Sequence, residues 1–242
     1  MVRVQIVTRP SVVMTGTSRY VDELHRGLRA LGVEVSLKPP RPFPPAPVAR
    51  LVRRAGVDLP TFFTSYPLRF QPNPADIYHI PAQTMATLLS CQRFPGPVIV
   101  TVLDIIPYLV RHDPELNTFG HVFDRWFYQL ALRALQRAEA IIAISAYTKA
   151  TLVDVLNLPA ERIHVTYLGV DHDRFHPLDI PPRFRLKYGL DENDRYVLYV
   201  GSDDPRKNLP TLFRAFALLR ARIGQVKLLK VGRAHFQAER QR

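Results

Sequence analysis

The order of apolar segments constrains the fold of this chain more than any other feature. Runs rich in Val and Ile, typical of β-strands, alternate with stretches whose apolar residues recur at helical spacing. The strand-like runs lie at 2–7, 33–37, 75–80, 97–107, 140–144 and 162–167, and another begins at Tyr196. The run at 97–107 is almost continuously apolar, as in a strand buried on both faces. This alternation predicts an α/β fold with a parallel sheet covered by helices on both faces.

The helical segments between these runs are also clear. Residues 20–32 carry apolar side chains at helical spacing, and further helices are predicted at 123–137 and 146–156. Tyr20 and Trp126 occupy apolar positions of two of these helices. We interpret both as core residues.

The positive charge of the chain is concentrated near its end. The net charge of +12 would favour nucleic acid or an anionic membrane as partner, but ten Lys and Arg against one acid, Glu239, lie between 206 and 242. Elsewhere the basic residues, such as Arg125, Arg133 and Arg137, are interpreted as scattered charges on solvated helix faces. We therefore expect no nucleic-acid partner.

Cysteine and histidine usage predicts no metal site. Cys91 is the single cysteine, which excludes an internal disulfide, and the histidines lack paired metal-ligand spacing. The N-terminus enters a strand-like run without a leader-like segment, and no apolar run is long enough to cross a bilayer. The expected location is the cytoplasm.

The segment 196–216 has the clearest ligand-binding pattern. A strand ends in a polar turn with adjacent Arg206 and Lys207, and an apolar helix begins near Asn208. The free amides and dipole of a helix N-terminus favour an anion, and two cations add charge-assisted hydrogen bonds. The pattern predicts a site for a diphosphate.

Four blocks occur in an order that resembles the retaining nucleotide-sugar glycosyltransferases of family 4, which have the GT-B fold. They are TGTSRYVDELHRGLRALG (15–32), TVLDIIPY (101–108), AIIAISAYTKATLVDVLNLPAERIHVTYLGVDHDRFHP (140–177) and VGSDDPRKNLPTLFRAF (200–216). The resemblance implies a complete N-terminal, acceptor-side Rossmann-like domain at 1–175 and an inter-domain linker at 176–194. Residues 195–242 would then be the first βαβ part of an incomplete second Rossmann-like domain, which binds the nucleotide sugar.

The resemblance also implies roles for individual residues. Arg206 and Lys207 match the basic pair that grips the donor diphosphate, and Asp104 is the candidate catalytic residue. No metal or cofactor is expected beyond the nucleotide diphosphate sugar as co-substrate. The candidate cleft-lining residues are Gly16, Thr17, Ser145, Gly169, Asp171 and Gly201.

Some interpretations stay open. Asp104 is as well suited to accepting backbone amides in a loop as to catalysis, and Ser145 is better interpreted as a helix N-cap than as a nucleophile. Leu103 stands where the family often has His. The family's pair of glutamates seven residues apart has no match before Arg242.

The implied function is retaining transfer of a hexose, mannose included, from a nucleotide diphosphate sugar to a glycan or lipid-linked acceptor in cell-envelope polysaccharide synthesis. Because the glutamate pair is missing, we expect this chain to be an incomplete form, weakly active or inactive. A non-catalytic acceptor-binding or partner subunit is the alternative, and a GT-B-shaped epimerase is a third hypothesis. Peripheral membrane contact and self-association through exposed Leu212, Phe213 and Phe216 are further expectations.

Overall fold

The structure, a computed structural model, describes residues 1–8, 16–43 and 59–232. It divides into two units, one made of residues 1–112 with 118–169 and the other of 113–117 with the residues from 170 onward. The domain limits expected at 175 and 194 stay predictions.

Six parallel strands form the sheet of the first unit, in the order β2-β1-β3-β4-β5-β6. They are β1 (Arg3–Val7), β2 (Glu34–Lys38), β3 (Ile77–Ile80), β4 (Val98–Val102), β5 (Ala140–Ala143) and β6 (Ile163–Val165). The strands are shorter than several of the apolar runs. The run at 97–107 leaves the sheet after Val102 because its second half turns into a short helix.

Helices follow the strands of this sheet. They are α1 (Gly16–Ala30), α2 (Leu59–Ser65), α3 (Thr87–Cys91), α4 (Ile106–Leu109), α5 (Val122–Ala134) and α6 (Ala146–Leu156). The prediction for α6 is confirmed at both ends, whereas α1 begins four residues before the predicted 20–32.

The sheet has a hydrophobic core on each face. Val4 and Ile6 of β1 pack with Val21 of α1, whereas Val7 belongs to the larger core on the other side. Because successive side chains of a strand point to opposite faces, one strand serves both cores. The predicted parallel sheet with two covered faces is confirmed.

The prediction that Trp126 is a core residue is wrong. Its side chain is 54% exposed, and Val122 and Phe123 on the same helix are also exposed. The buried side of α5 is formed instead by Tyr128, Ala131, Leu132 and Ala134. Apolar residues at helical spacing therefore predict a helix, but they do not show which of those residues face the core.

The second unit contains a βαβ arrangement. After α7 (Pro182–Tyr188), β7 (Arg195–Val200) leads through α8 (Leu209–Ile223) to β8 (Val226–Val231), and the two strands are parallel. Phe213 is 50% exposed, and Leu198 and Val200 are also exposed. This unit therefore presents apolar side chains on its strands as well as on its helix.

Within the described ranges, no helix combines the length and the apolar character needed to cross a membrane.

The ends of β7 and β8 approach so closely that Gly232 is required. Gly232 has a φ of +137°, and a Cβ there would lie 2.2 Å from the carbonyl oxygen of Gly201. We predict that Gly232→Ala lowers the free energy of unfolding by about 1–3 kcal/mol. Hydrogen exchange of the β7 and β8 amides would measure the loss.

Gly27→Ala is the matched control for this substitution. Gly27 lies within α1, and outside its own helix backbone and chain neighbours no described atom lies within 4 Å of its added Cβ. Alanine should stabilise the helix there by about 0.5–1 kcal/mol. Equal exchange rates in the Gly232→Ala protein and the wild type would show that glycine is not required at position 232.

Candidate functional site

The topology places the candidate site at the carboxyl ends of the six parallel strands, which together form one edge of the sheet. The chain moves outward from β1 to β2 and then crosses back to β3, on the other side of β1. Open parallel sheets bind ligands outside the carboxyl ends of the strands, where the strand order reverses in this way. The β1/β3 boundary, with the segments that follow β1, β3 and β4, is therefore the place to look for a ligand.

Gly16 and Thr17 begin α1 at this edge. Gly16 does not adopt a left-handed backbone, and apart from its chain neighbours and its own helix backbone no described atom lies within 4 Å of the position of a Cβ on it. Its lack of a side chain therefore leaves open space rather than permitting an unusual turn. This space is compatible with the predicted role in lining a cleft.

A chain of polar side chains crosses the sheet just below the edge. The hydroxyl oxygen of Tyr20 lies 2.9 Å from Oγ1 of Thr101, which lies 2.8 Å from Nε2 of His79. Tyr20 belongs to α1, Thr101 to β4 and His79 to β3. The three side chains tie the first helix of the site to the two strands that flank it.

Burial governs the protonation of this chain. His79 and Thr101 are buried among apolar residues, and burial lowers the pKa of His79 to about 4. Burial also raises the pKa of Tyr20. At neutral pH both groups are uncharged, so the chain holds the helix through neutral hydrogen bonds.

The segments after β3 and β4 are also joined. The buried side chain of Gln83 accepts a hydrogen bond from the backbone amide of Leu103 at 3.3 Å. Oδ1 of Asp104 accepts one from the amide of Ile106 at 3.1 Å. The loop-capping role of Asp104 is therefore present, and its catalytic role stays a prediction.

Ser145 caps α6, as the sequence indicated. Its Oγ accepts a hydrogen bond from the backbone amide of Thr148 at 3.0 Å and lies 2.9 Å from the hydroxyl oxygen of Thr148. These contacts are those of an N-cap residue. The side chain still lies just beyond the end of β5, at the edge where a ligand is expected.

Gly169 and Asp171 fall at the division between the two units. Gly169 is the last residue of the first unit and is exposed. In the second unit, Oδ1 of Asp171 accepts a hydrogen bond from the amide of Arg174 at 3.1 Å. Their predicted cleft-lining roles stay predictions.

The predicted diphosphate site lies between β7 and α8, but Arg206 is already paired. Its Nε and Nη2 donate to the two carboxylate oxygens of Asp204 at 3.0 and 2.7 Å. The amide of Arg206 donates to Oδ1 of Asp204 at 3.0 Å. These hydrogen bonds hold the pKa of Asp204 below its usual range. An ion pair within the turn therefore fixes its conformation, and the adjacent cations in the sequence did not indicate this pairing.

Lys207 and the start of α8 complete this turn. Lys207 is exposed, and Asn208 precedes the helix in a left-handed conformation with a φ of 52°. Pro210 lacks an amide hydrogen, so it removes one of the free donors expected in the first turn. Gly201 lies at the end of β7, and its amide donates to the carbonyl of Val231 at 2.8 Å.

The comparisons decide the family. The family model described as Glycosyltransferase Family 4 matches residues 14–174, which is more than half of the chain. The chain belongs to glycosyltransferase family 4. The match covers α1, the segment that contains Asp104, and the β5–α6 region with Ser145.

Curated relatives of this family-4 chain come from Escherichia coli. It is 33% identical to the O-antigen chain mannosyltransferase B over 88 residues, which are 36% of this chain and 23% of the relative. It is 24% identical to the serotype-specific mannosyltransferase WbdA over 138 residues, 54% of this chain and 16% of the relative. The matched part thus spans less than a quarter of either relative's length.

Solved structures confirm the GT-B-like fold. The chain is similar to Anabaena HepE, whose crystal structure is a complex with UDP and glucose, with a TM-score of 0.59 and 17% identity. The similarity covers 100% of this chain and 63% of HepE. A second structure of HepE, with UDP-glucose, gives a TM-score of 0.57.

Sequence reasoning missed the residues that join the elements of the site. His79, Thr101 and Gln83 are polar, yet each is buried at the edge of the sheet. His79 stands near the carboxyl end of the apolar run at 75–80 and Thr101 stands inside the run at 97–107, whereas Gln83 lies outside both runs and has no such signal. Asp204 is present in the same turn of the sequence, but the pattern does not show that it pairs with Arg206.

Burial of His79 predicts a pH dependence of stability. The unfolded chain takes up a proton near pH 6.5, whereas His79 in the folded protein does so only near pH 4. Stability should therefore fall as the pH drops from 6.5 toward 4. Between pH 7.5 and 5 the loss from this residue should be about 2 kcal/mol, measured by urea unfolding.

His79→Gln is the matched variant for this measurement. Gln has no titrating group, so the pH-dependent loss of the variant should be smaller by that amount. Parallel pH profiles of the two proteins would show that His79 is not the buried titrating group.

The N-cap of α6 can be separated from a chemical role of Ser145. Ser145→Ala should lower the free energy of unfolding by about 1 kcal/mol, because the amide of Thr148 loses its acceptor. Ser145→Asp should recover most of that loss, since Asp is also a good N-cap. Unfolding in denaturant measures both, and equal stability of the wild type and the Ala variant would rule out the capping role.

Proposed function

We propose that the protein is a retaining glycosyltransferase that transfers a hexose from a nucleotide diphosphate sugar to a glycan or lipid-linked acceptor. The carrying observation is the family-4 sheet of the first unit followed by a βαβ unit with Arg206 and Lys207 between β7 and α8. In open parallel sheets this is the position for a bound nucleotide. The HepE complexes with UDP and UDP-glucose support a nucleotide sugar as donor.

The E. coli relatives favour mannose as the transferred hexose and cell-envelope polysaccharide as the product. They are mannosyltransferases, one of them of the O-antigen chain. The acceptor would then be a growing glycan, and synthesis on the cytoplasmic side would suit a nucleotide sugar as donor. We include both features in the proposal.

The chemistry of glycosyl transfer explains how Arg206 and Lys207 would assist the reaction. Transfer breaks the bond between C1 of the sugar and the diphosphate oxygen, an acceptor hydroxyl oxygen bonds to C1 on the same face, and its proton passes to the departing diphosphate. Negative charge grows on the departing diphosphate, and positively charged groups beside it stabilise that charge. Lys207 is exposed and available, whereas Arg206 must share its guanidinium with Asp204 or exchange partners.

Calorimetric titration with UDP and GDP tests the donor site. We expect Lys207→Ala to weaken nucleotide binding at least tenfold while leaving the Asp204–Arg206 pair in place. The double variant Arg206→Ala/Lys207→Ala should weaken it further. Arg220→Ala, which removes an exposed charge at the other end of α8, is the control and should bind like the wild type.

Unchanged affinity in both Lys207 variants would reject the diphosphate assignment. Transfer itself is best measured on the longest form of the protein that the gene encodes, with the anomeric configuration of the product followed by NMR. Inversion at C1 would reject a retaining reaction. Acceptor binding without nucleotide binding or turnover would favour the alternative, a non-catalytic acceptor-binding subunit.

A further inference from the structure

Three arginines that are dispersed in the sequence surround one cavity of the first unit. The cavity has a volume of about 340 Å³ and lies between the Tyr108–His112 segment, α5 and the end of α6. Arg111, Arg125 and Arg133 line it together with His112. The sequence had suggested that Arg125 and Arg133 are scattered surface charges. The fold instead brings them to the same opening.

Among the described residues, no acidic residue lines the cavity beside these arginines. None of the residues that line the cavity is Asp or Glu, and none of the salt bridges in the described ranges involves the three arginines. Asp124, next to Arg125 in sequence, accepts a hydrogen bond from the hydroxyl of Tyr66 at 2.7 Å. Like charges that line one concave surface repel each other unless an anion lies between them.

One of the arginines is held in place before any ligand arrives. The guanidinium carbon of Arg111 lies 3.9 Å from the centre of the Tyr108 ring, and Nη1 donates to the carbonyl oxygen of Tyr108 at 2.6 Å. A fixed guanidinium loses little conformational entropy on binding, and its planar fork matches the oxygens of a phosphate. Its remaining donors are available for a ligand.

The other two arginines mark the length of the site. Arg125 and Arg133 are eight residues apart on α5, which corresponds to about 12 Å along a helix axis. Gln129 lies between them on the same face and also lines the cavity, while buried Leu132 forms part of its wall. A short polyanion fits this arrangement better than a single small ion, because it reaches more than one guanidinium.

We propose that this cavity is a second anion site, which binds the diphosphate group of the acceptor substrate. It is separate from the Arg206–Lys207 turn, which belongs to the other unit. The proposal rests on the function proposed above and narrows the acceptor to one that carries a phosphoryl group, such as a lipid-linked glycan. A volume of about 340 Å³ is at the small end for ligand pockets, so the cavity holds the charged group rather than the whole acceptor.

Direct binding is the first test. Inorganic pyrophosphate is titrated into the Lys207→Ala protein, so that the donor turn contributes little. Arg125→Gln/Arg133→Gln in that background should bind at least tenfold more weakly. Arg26→Gln/Arg29→Gln removes the same charge from the surface of α1 and should bind like its parent. Equal pyrophosphate affinity in the cavity variant and its parent would overturn the proposal.

The source of the phosphoryl group is distinguished with vesicles. Vesicles that contain a polyprenyl diphosphate are compared with vesicles of equal charge made with phosphatidylglycerol. Preference for the diphosphate vesicles, lost in the cavity variant, supports a lipid-linked acceptor. If free pyrophosphate binds in the cavity and neither vesicle does, the acceptor assignment is overturned.

Kinetics separate this inference from the proposed function. With the longest encoded form, Arg125→Gln/Arg133→Gln should raise KM for a phosphoryl-bearing acceptor at least tenfold and leave the affinity for UDP or GDP unchanged. An unchanged KM with normal transfer would overturn the cavity site while the glycosyltransferase function stands. Pyrophosphate binding in the cavity without any transfer would leave the anion site standing and reject the transferase.

Discussion

Parallel strand pairing is the constraint on which the rest of the first unit depends. Because the strands are parallel, every connection after a strand begins at the same edge of the sheet. The chain crosses from β2 back to β3 on the other side of β1, so the connections after β1 and β3 diverge and leave a crevice between them. Segments distant in sequence therefore meet there. Gly16, Gln83, Asp104 and Ser145 share the edge although 129 positions separate the first from the last.

The buried polar chain shows what this edge requires of the core beneath it. A tyrosine from α1 and a histidine from β3 share one threonine hydroxyl on β4. Apolar packing alone would hold α1 against the sheet without fixing its rotation about its own axis or its position along the strands. Directional hydrogen bonds fix both, and they position the start of α1 where the ligand is expected.

The fold could be predicted because its signals are local. The six strands follow from apolar runs, and the limits of α6 follow from Ser145 at one end and Asn157, in a left-handed conformation, at the other. The site was predicted less well because its contacts are not local. Thr101 meets Tyr20 across 81 residues, and Arg111, which follows α4, shares a cavity with Arg133 of α5. Composition and the spacing of residue types do not show which distant residues come into contact.

The pairing of Arg206 with Asp204 has a consequence for ligand discrimination. The carboxylate is covalently tethered two residues away, so its effective concentration at the guanidinium is far higher than that of any dissolved anion. Chloride or another weakly charged ion competes poorly with such a tethered partner. A ligand that contacts Lys207 and the helix amides at the same time can compensate for the displaced ion pair. In the proposed donor site, this ion pair would therefore favour multivalent anions over common small ones.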